Sequence, residues 1–204
     1  MAGLHEMNEA EWSTCQDPGQ LLATVVPTAS LAALRKLACA ACRRILERFP
    51  DDWATQAFRE ETGFPGGYIS PGDWPGRLLR EAIRVGEASC CSEEFAGELL
   101  SISASAGRVA HSLYERWAHA NHRLGDSATG AEYEVGWVGW HVASAARDCC
   151  GEEIRGSVGN CLKHATEALG FCWDASEQAE AIKVEKAAMA ELIREMFPFA
   201  SYFA

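Results

Sequence analysis

The sequence predicts an all-α protein, folded as a single-domain irregular bundle of about six or seven helices. Apolar residues recur at the spacing of an amphipathic helix through most of the 204 residues. No stretch alternates apolar and polar side chains for long enough to predict a strand. Glycine and proline concentrate in residues 63–76, a composition typical of a loop. We therefore expect one helical domain over residues 1–204 with one prominent irregular loop.

Capping residues and prolines predict where the helices begin and end. The clearest helix is Leu31–Phe49, with Ser30 as its N-cap and Pro50 directly after it. A second is Ala175–Phe197, with Asp174 as N-cap and a proline following the helix. Shorter helices are expected over residues 8–15 and after Pro18. The remaining predicted helices are Pro75–Ala88, Ser92–Leu124, Ala131–Cys150 and Glu152–Trp173.

The acidic charge restricts the class of partner. The chain has 29 Asp and Glu against 18 Lys and Arg, a formal net charge of −11. Such a chain is repelled by phosphate backbones, so nucleic acid is disfavoured and a protein with a basic surface is favoured. No apolar run reaches the roughly 20 residues of a membrane-spanning helix, and the polar N-terminus does not resemble a signal peptide. We expect a cytoplasmic protein whose nine cysteines are reduced.

Both ends of the chain resemble a known family. The sequence EAEWSTCQDP at residues 9–18 is followed by LRKLACAACRR at residues 34–44. These segments are similar to a bacterial family of uncharacterised proteins that open with EW-x-x-C-x-DP and an RKLRLFACACCRR-like helix. Residues 80–87 and 187–197 are similar to later helices of that family. The chain departs from it at Ala41, where a second cysteine is usual, and in the tail. The resemblance implies a helical fold and no activity.

Cysteines form two groups that could carry thiol or metal chemistry. Cys39-x-x-Cys42 has the spacing of zinc ligands and of redox pairs. Both residues fall on or beside the apolar face of their helix, where free cysteine is usually part of the core. A second group lies near the C-terminal end of the chain, where a four-ligand zinc site can be drawn. Its members are Cys149, Cys150, Cys161 and His164.

A stripe of histidines and one carboxylate follows one side of the predicted Ser92–Leu124 helix. At 100° per residue, four side chains share that side, opposite the apolar face. Two histidines three residues apart could chelate zinc, with the carboxylate as third ligand or general base. A solvated polar face is the structural alternative, and it is favoured because no covering helix is evident. The stripe comprises His111, Glu115, His119 and His122.

Aromatic residues form the third group. Three of them share one side of the Ala131–Cys150 helix, interleaved with Gly136 and Gly139, for which close approach of another helix or a ligand is the usual reason. Core packing is the favoured account of this group, and a hydrophobic binding groove is the alternative. The tail, residues 198–204, is unusually apolar and should dock on its own body or on a partner. The candidate interaction residues are Tyr133, Trp137, Trp140, Phe197, Phe199, Tyr202 and Phe203.

These patterns favour a non-enzymatic protein-interaction module that acts as a subunit, adaptor or regulator, with no cofactor expected. Nucleotide-binding loops and serine-hydrolase motifs are absent from the sequence. The alternative is a metal- or thiol-dependent protein, including a zinc-binding hydrolase built on the histidine stripe. A third hypothesis, nucleic-acid binding through the basic residues of residues 35–48, is disfavoured by the net charge.

Overall fold

The computed structural model describes residues 7–50, 53, 75–124, 131–171 and 175–202, and all regular structure in these ranges is helical. The predicted all-α class is confirmed. Eight α-helices of six residues or more are present in these ranges, close to the number predicted. They are α1 (Glu9–Thr14), α2 (Pro18–Val25), α3 (Leu31–Arg48), α4 (Gly76–Ser89), α5 (Ala96–Leu124), α6 (Ala131–Cys149), α7 (Ile154–Leu169) and α8 (Ala175–Met196), followed by the single turn α9 (Phe199–Tyr202).

Side-chain caps begin the first three helices, and the cap at Ser30 is the one that the sequence predicts. Asn8 and Glu11 form a capping box on α1, with each side chain accepting from the other's backbone N–H at 3.0 and 2.9 Å. The Asp17 carboxylate accepts from the Gly19 N–H at 2.8 Å at the start of α2. Ser30 caps α3 by accepting from the Ala33 N–H at 3.1 Å. The predicted cap at residue 174 and the predicted loop over residues 63–74 lie outside the described residues.

Two helix boundaries differ from the prediction by four residues, and the others differ by two or fewer. The helix expected from Ser92 begins at Ala96, because residues 93–95 form a separate 3-10 turn whose Glu94 N–H donates to the Ser92 hydroxyl. The helix expected to reach residue 173 ends at Leu169. A Cβ atom on the next residue, Gly170, would lie 2.9 Å from the Cα atom of Ile182, so glycine lets α7 end directly against α8.

One hydrophobic cluster draws residues from every helix between α1 and α8. The longest helix, α5, packs most extensively against α6. Helices α3 and α6 are central, because α3 contacts α4, α6, α7 and α8, while α6 contacts α3, α4, α5 and α7. Among the described helices, none has the length and hydropathy that crossing a membrane requires. Side chains at the junction of α3, α6 and α7 are therefore enclosed on all sides.

Candidate functional site: a buried row of thiols

Four cysteines from three helices meet at this junction. Cys39 and Cys42 lie on α3, Cys149 ends α6, and Cys161 lies on α7; all four are free thiols with no exposed surface. The Sγ atoms of Cys39 and Cys149 are 3.6 Å apart, and those of Cys42 and Cys161 are 3.8 Å apart. The Cys149 thiol also lies close enough to Cys42 to influence its pKa. We call the series Cys39, Cys149, Cys42 and Cys161 the thiol row.

The hydrogen bonds along the row favour a thiolate at its centre. Hydrogen bonds with Cys149 and then Cys161 lower the pKa of Cys42 to about 5, although burial and the nearby Asp148 carboxylate raise it. The pKa of Cys161 is raised, chiefly by its hydrogen bond with Cys42 and then by burial. Hydrogen bonds with Cys150, Cys39 and Cys42 raise the pKa of Cys149. Cys42 is therefore the thiol of the row whose deprotonation its neighbours favour most.

Backbone carbonyls complete the surroundings of the sulfur atoms. The Cys161 thiol lies 3.5 Å from the Ala145 carbonyl oxygen, and the Cys39 thiol lies 3.8 Å from that of Ile83. On α4, a Cβ atom at Gly86 would lie 2.7 Å from the Cys39 Sγ atom and 3.6 Å from that of Cys149. Glycine at this position is what allows α4 to close over the row.

A buried cation lies beside the row. Arg35, one turn before Cys39 on α3, is only 9% exposed. Its guanidinium donates to the carbonyl oxygens of Cys149 at 2.9 Å and Gly151 at 3.1 Å, at the C-terminal end of α6. Both acceptors are uncharged, so these two hydrogen bonds do not neutralise the guanidinium. Sequence reasoning grouped Arg35 with the surface basic residues of α3, because an amphipathic pattern alone does not identify a buried arginine.

The predicted thiol groups are thus rearranged by the fold. The C-x-x-C pair does not act as a unit, because Cys39 bonds Cys149 whereas Cys42 bonds Cys161. Cys150 is buried as well, and its thiol points to the Ala82 carbonyl oxygen at 3.7 Å. Within the described part of the chain, no group of three or more His, Cys, Asp or Glu side chains is arranged to hold a metal ion. The sulfur atoms therefore form pairs along a row and not a cage.

The described members of the histidine stripe face solvent. His111 and Glu115 pair at 3.3 Å with side chains 73% and 68% exposed, and His122 is exposed. The side chain of His119 lies outside the described residues. This arrangement matches the solvated polar face that the sequence analysis favoured, since exposed side chains lack the enclosed cavity that catalysis needs.

A different pair of histidines is buried between α6 and α7. The Nδ1 atoms of His141 and His164 are 2.9 Å apart, and the Asp148 carboxylate lies 3.8 Å from the His164 Nε2 atom. Burial, followed by the proximity of His164 and Lys163, lowers the pKa of His141 to about 3. Burial likewise lowers the pKa of His164. The sequence analysis placed His164 in a four-ligand zinc site with Cys161. Its contact is instead with His141, which lies 23 residues earlier in the sequence, on α6.

The predicted interaction aromatics largely pack within the molecule. Trp137 and Trp140 of α6 lie 5.0 and 6.0 Å from the Trp117 ring of α5, and Tyr133 lies 6.0 Å from it. The expected close approach at a glycine is present, because a Cβ atom at Gly136 would lie 3.2 Å from the Trp117 Cα atom. In the tail, Phe197 is fully buried and the Phe199 ring is 6.4 Å from Trp12. The Tyr202 side chain and Phe203 lie outside the described residues.

No protein-family model, curated protein or solved structure matches the chain. The resemblance to the uncharacterised bacterial family therefore stays a prediction.

Proposed function

We propose that the protein binds a thiophilic metal ion through its core cysteines. The observation that supports the proposal is the thiol row, in which three helices bring four free sulfur atoms into contact. Thiolate sulfur is a soft ligand that selects copper(I), zinc and iron–sulfur clusters over magnesium, calcium and manganese. This is the metal- or thiol-dependent alternative of the sequence analysis, now located in the helix junction and not on the histidine stripe.

Simple packing is the competing account, because free cysteine behaves as a small hydrophobic residue. Packing explains burial but gives no reason for sulfur to contact sulfur, since alanine or valine would fill the same space. Two neighbours of the row also support ligation. Gly86 leaves room for the sulfur atoms, and the buried Arg35 guanidinium donates to the Cys149 carbonyl oxygen, so one positive charge lies close to the row.

Metal retention by the purified chain tests the proposal. The reduced, full-length protein is incubated anaerobically with zinc(II) or copper(I), desalted and analysed for metal by mass spectrometry. We expect the wild type to retain metal and Cys42→Ala to retain less, because Cys42 forms one of the two sulfur pairs. Cys91→Ala is the matched control, since Cys91 is an exposed thiol that should not contribute.

Two outcomes would contradict the proposal. One is a wild-type protein that retains neither metal under reducing conditions. The other is a Cys42→Ala, Cys161→Ala double variant that retains as much metal as the wild type. Far-ultraviolet circular dichroism of each variant separates the loss of ligands from the loss of the fold.

A second candidate function is the docking of another protein, and the observation that favours it is the exposure of Tyr114. This ring is 43% exposed at the edge of the aromatic cluster, 4.9 Å from Trp140. Leu100, 51% exposed, lies on the same helix. The formal charge of −11 favours a partner with a basic surface.

The docking function is tested by native mass spectrometry of the chain isolated from its own cells. A basic protein that accompanies the wild type and the His111→Ala control, but not Tyr114→Ala, Leu100→Ser, would support docking. A chain that carries metal and no second protein would leave metal binding as the function.

A further inference from the structure

We infer that the metal is copper(I), held as separate ions by the sulfur pairs Cys39–Cys149 and Cys42–Cys161. The inference rests on the proposed function and specifies the ion, its coordination and the order in which the pairs fill. Three observations carry it: the pairing of the sulfur atoms, the charge that the core can balance, and the different neighbours of the two pairs.

The arrangement of the sulfur atoms favours an ion that two ligands satisfy. A structural zinc ion needs four ligands around one point, with zinc–sulfur distances of about 2.3 Å. In the ranges that the structure describes, no group of three or more suitable side chains meets that requirement. Sulfur pairs at 3.6 and 3.8 Å are present instead. Copper(I) has a closed shell and forms linear complexes with two thiolates, so each pair can hold one ion once its sulfur atoms move slightly apart.

The charge balance of the core bears on the order in which the pairs fill. When copper(I) binds a pair, two thiols release two protons to solvent and two copper–sulfur bonds form, leaving a single net negative charge. With both pairs filled, two ions and four thiolates leave two negative charges, the same as zinc bound by four cysteines. A buried charge is costly unless an opposite charge accompanies it. Arg35 supplies one buried positive charge, and its guanidinium donates to the neutral carbonyls of Cys149 and Gly151.

The two pairs differ in their charged neighbours. Arg35 donates to the backbone of Cys149, so its positive charge lies beside the Cys39–Cys149 pair. On α3, Cys39 lies four residues after Arg35 and Cys42 lies seven residues after it, so the Cys42–Cys161 pair is farther from the guanidinium along the helix. The Cys39–Cys149 pair should therefore bind copper(I) more tightly and fill first.

An anaerobic titration with copper(I) in the presence of a coloured copper(I) chelator tests the inference. We expect the wild type to take copper(I) from the chelator in two steps of different affinity, with one ion for each sulfur pair. Cys39→Ala should lose the tighter step and Cys42→Ala the weaker one, whereas the exposed-thiol control Cys91→Ala should retain both. Arg35→Met should weaken the tighter step at least tenfold and leave the weaker step within threefold of its wild-type affinity.

The same variants decide between copper pairs and a single four-sulfur site. If Cys39→Ala and Cys42→Ala each lose all bound metal, or if zinc binds with release of four protons and displaces copper(I), the inference is overturned while the proposed function stands. A wild type that binds neither ion overturns both. If an alanine variant fails to fold by circular dichroism, the serine variant at the same position is titrated in its place.

Discussion

The Cys39 Sγ atom lies 2.7 Å from the position that a Cβ atom would take on Gly86. Replacing Gly86 by alanine should therefore displace the thiol or push α4 away, and we expect a loss of about 1–3 kcal/mol of unfolding free energy, typical of an overpacked core. Urea unfolding followed by circular dichroism measures the unfolding free energy of the variant.

Gly156→Ala on α7 is the control, because no packing neighbour lies within 4 Å of the position that its Cβ atom would take. This variant should gain up to about 1 kcal/mol of unfolding free energy from helix propensity. Equal stability of Gly86→Ala and the wild type would show that the row is loosely packed.

Gly136→Ala should disturb the contact between α5 and α6. The added methyl group would meet the backbone of Trp117 at 3.2 Å, and backbone cannot yield as a flexible side chain can. We expect a loss of about 1–3 kcal/mol together with a changed near-ultraviolet dichroism spectrum, since Trp117 contacts several rings. An unchanged spectrum and an unchanged urea midpoint would rule out close packing at this crossing.

Arg35→Met should destabilise the chain through the end of α6. The substitution keeps much of the apolar side chain but removes two hydrogen bonds to the Cys149 and Gly151 carbonyl groups. Loss of donors to buried carbonyls costs about 1–3 kcal/mol. Arg43→Met, which removes an exposed ion pair with Glu87, should cost about 1 kcal/mol or less. Similar effects of the two substitutions on chemical unfolding would contradict a structural role for Arg35.

Stability should fall in mild acid because His141 is buried in its neutral form. Its pKa is about 3 in the folded protein against 6.5 for the free side chain. Between these pH values the unfolded chain binds more protons, so unfolding free energy falls as pH falls, by at most about 1.4 kcal/mol per pH unit. Above that range His141 contributes no pH dependence. The measurement compares urea unfolding at about pH 7.5 and about pH 5.

The controls for this pH dependence are substitutions at two histidines. His141→Gln should reduce the fall in unfolding free energy in mild acid. The smaller contribution of His164, whose pKa is also lowered, should remain. His111→Gln, at an exposed position, should match the wild type. If His141→Gln leaves the fall in unfolding free energy in mild acid unchanged, other groups cause that fall.

Local patterns were sufficient to predict the fold, but the site depends on contacts distant in sequence. Apolar spacing and the cap at Ser30 predicted α3, because a helix face and its cap are set within a few residues. The sulfur contacts join residues 110 and 119 positions apart. No spacing rule predicts which cysteine meets which once the helices pack.

The histidines illustrate the same limit. The sequence highlighted the residues at 111, 115, 119 and 122 because they share one side of a single helix. His141 and His164 meet across two helices, and the only signal for His141 was its position among the tryptophans of α6. Burial and pairing, and not periodicity, distinguish this pair from the solvated stripe.

X-ray absorption spectroscopy of the metal-loaded chain tests the central claim most directly, because it reports which atoms surround the bound ion. We predict a first shell made only of sulfur, with two sulfur neighbours for each copper(I) ion, that is lost when the four cysteines of the thiol row are replaced by alanine. A first shell of nitrogen or oxygen atoms would place the metal at histidines or carboxylates and contradict the assignment of function to the thiol row.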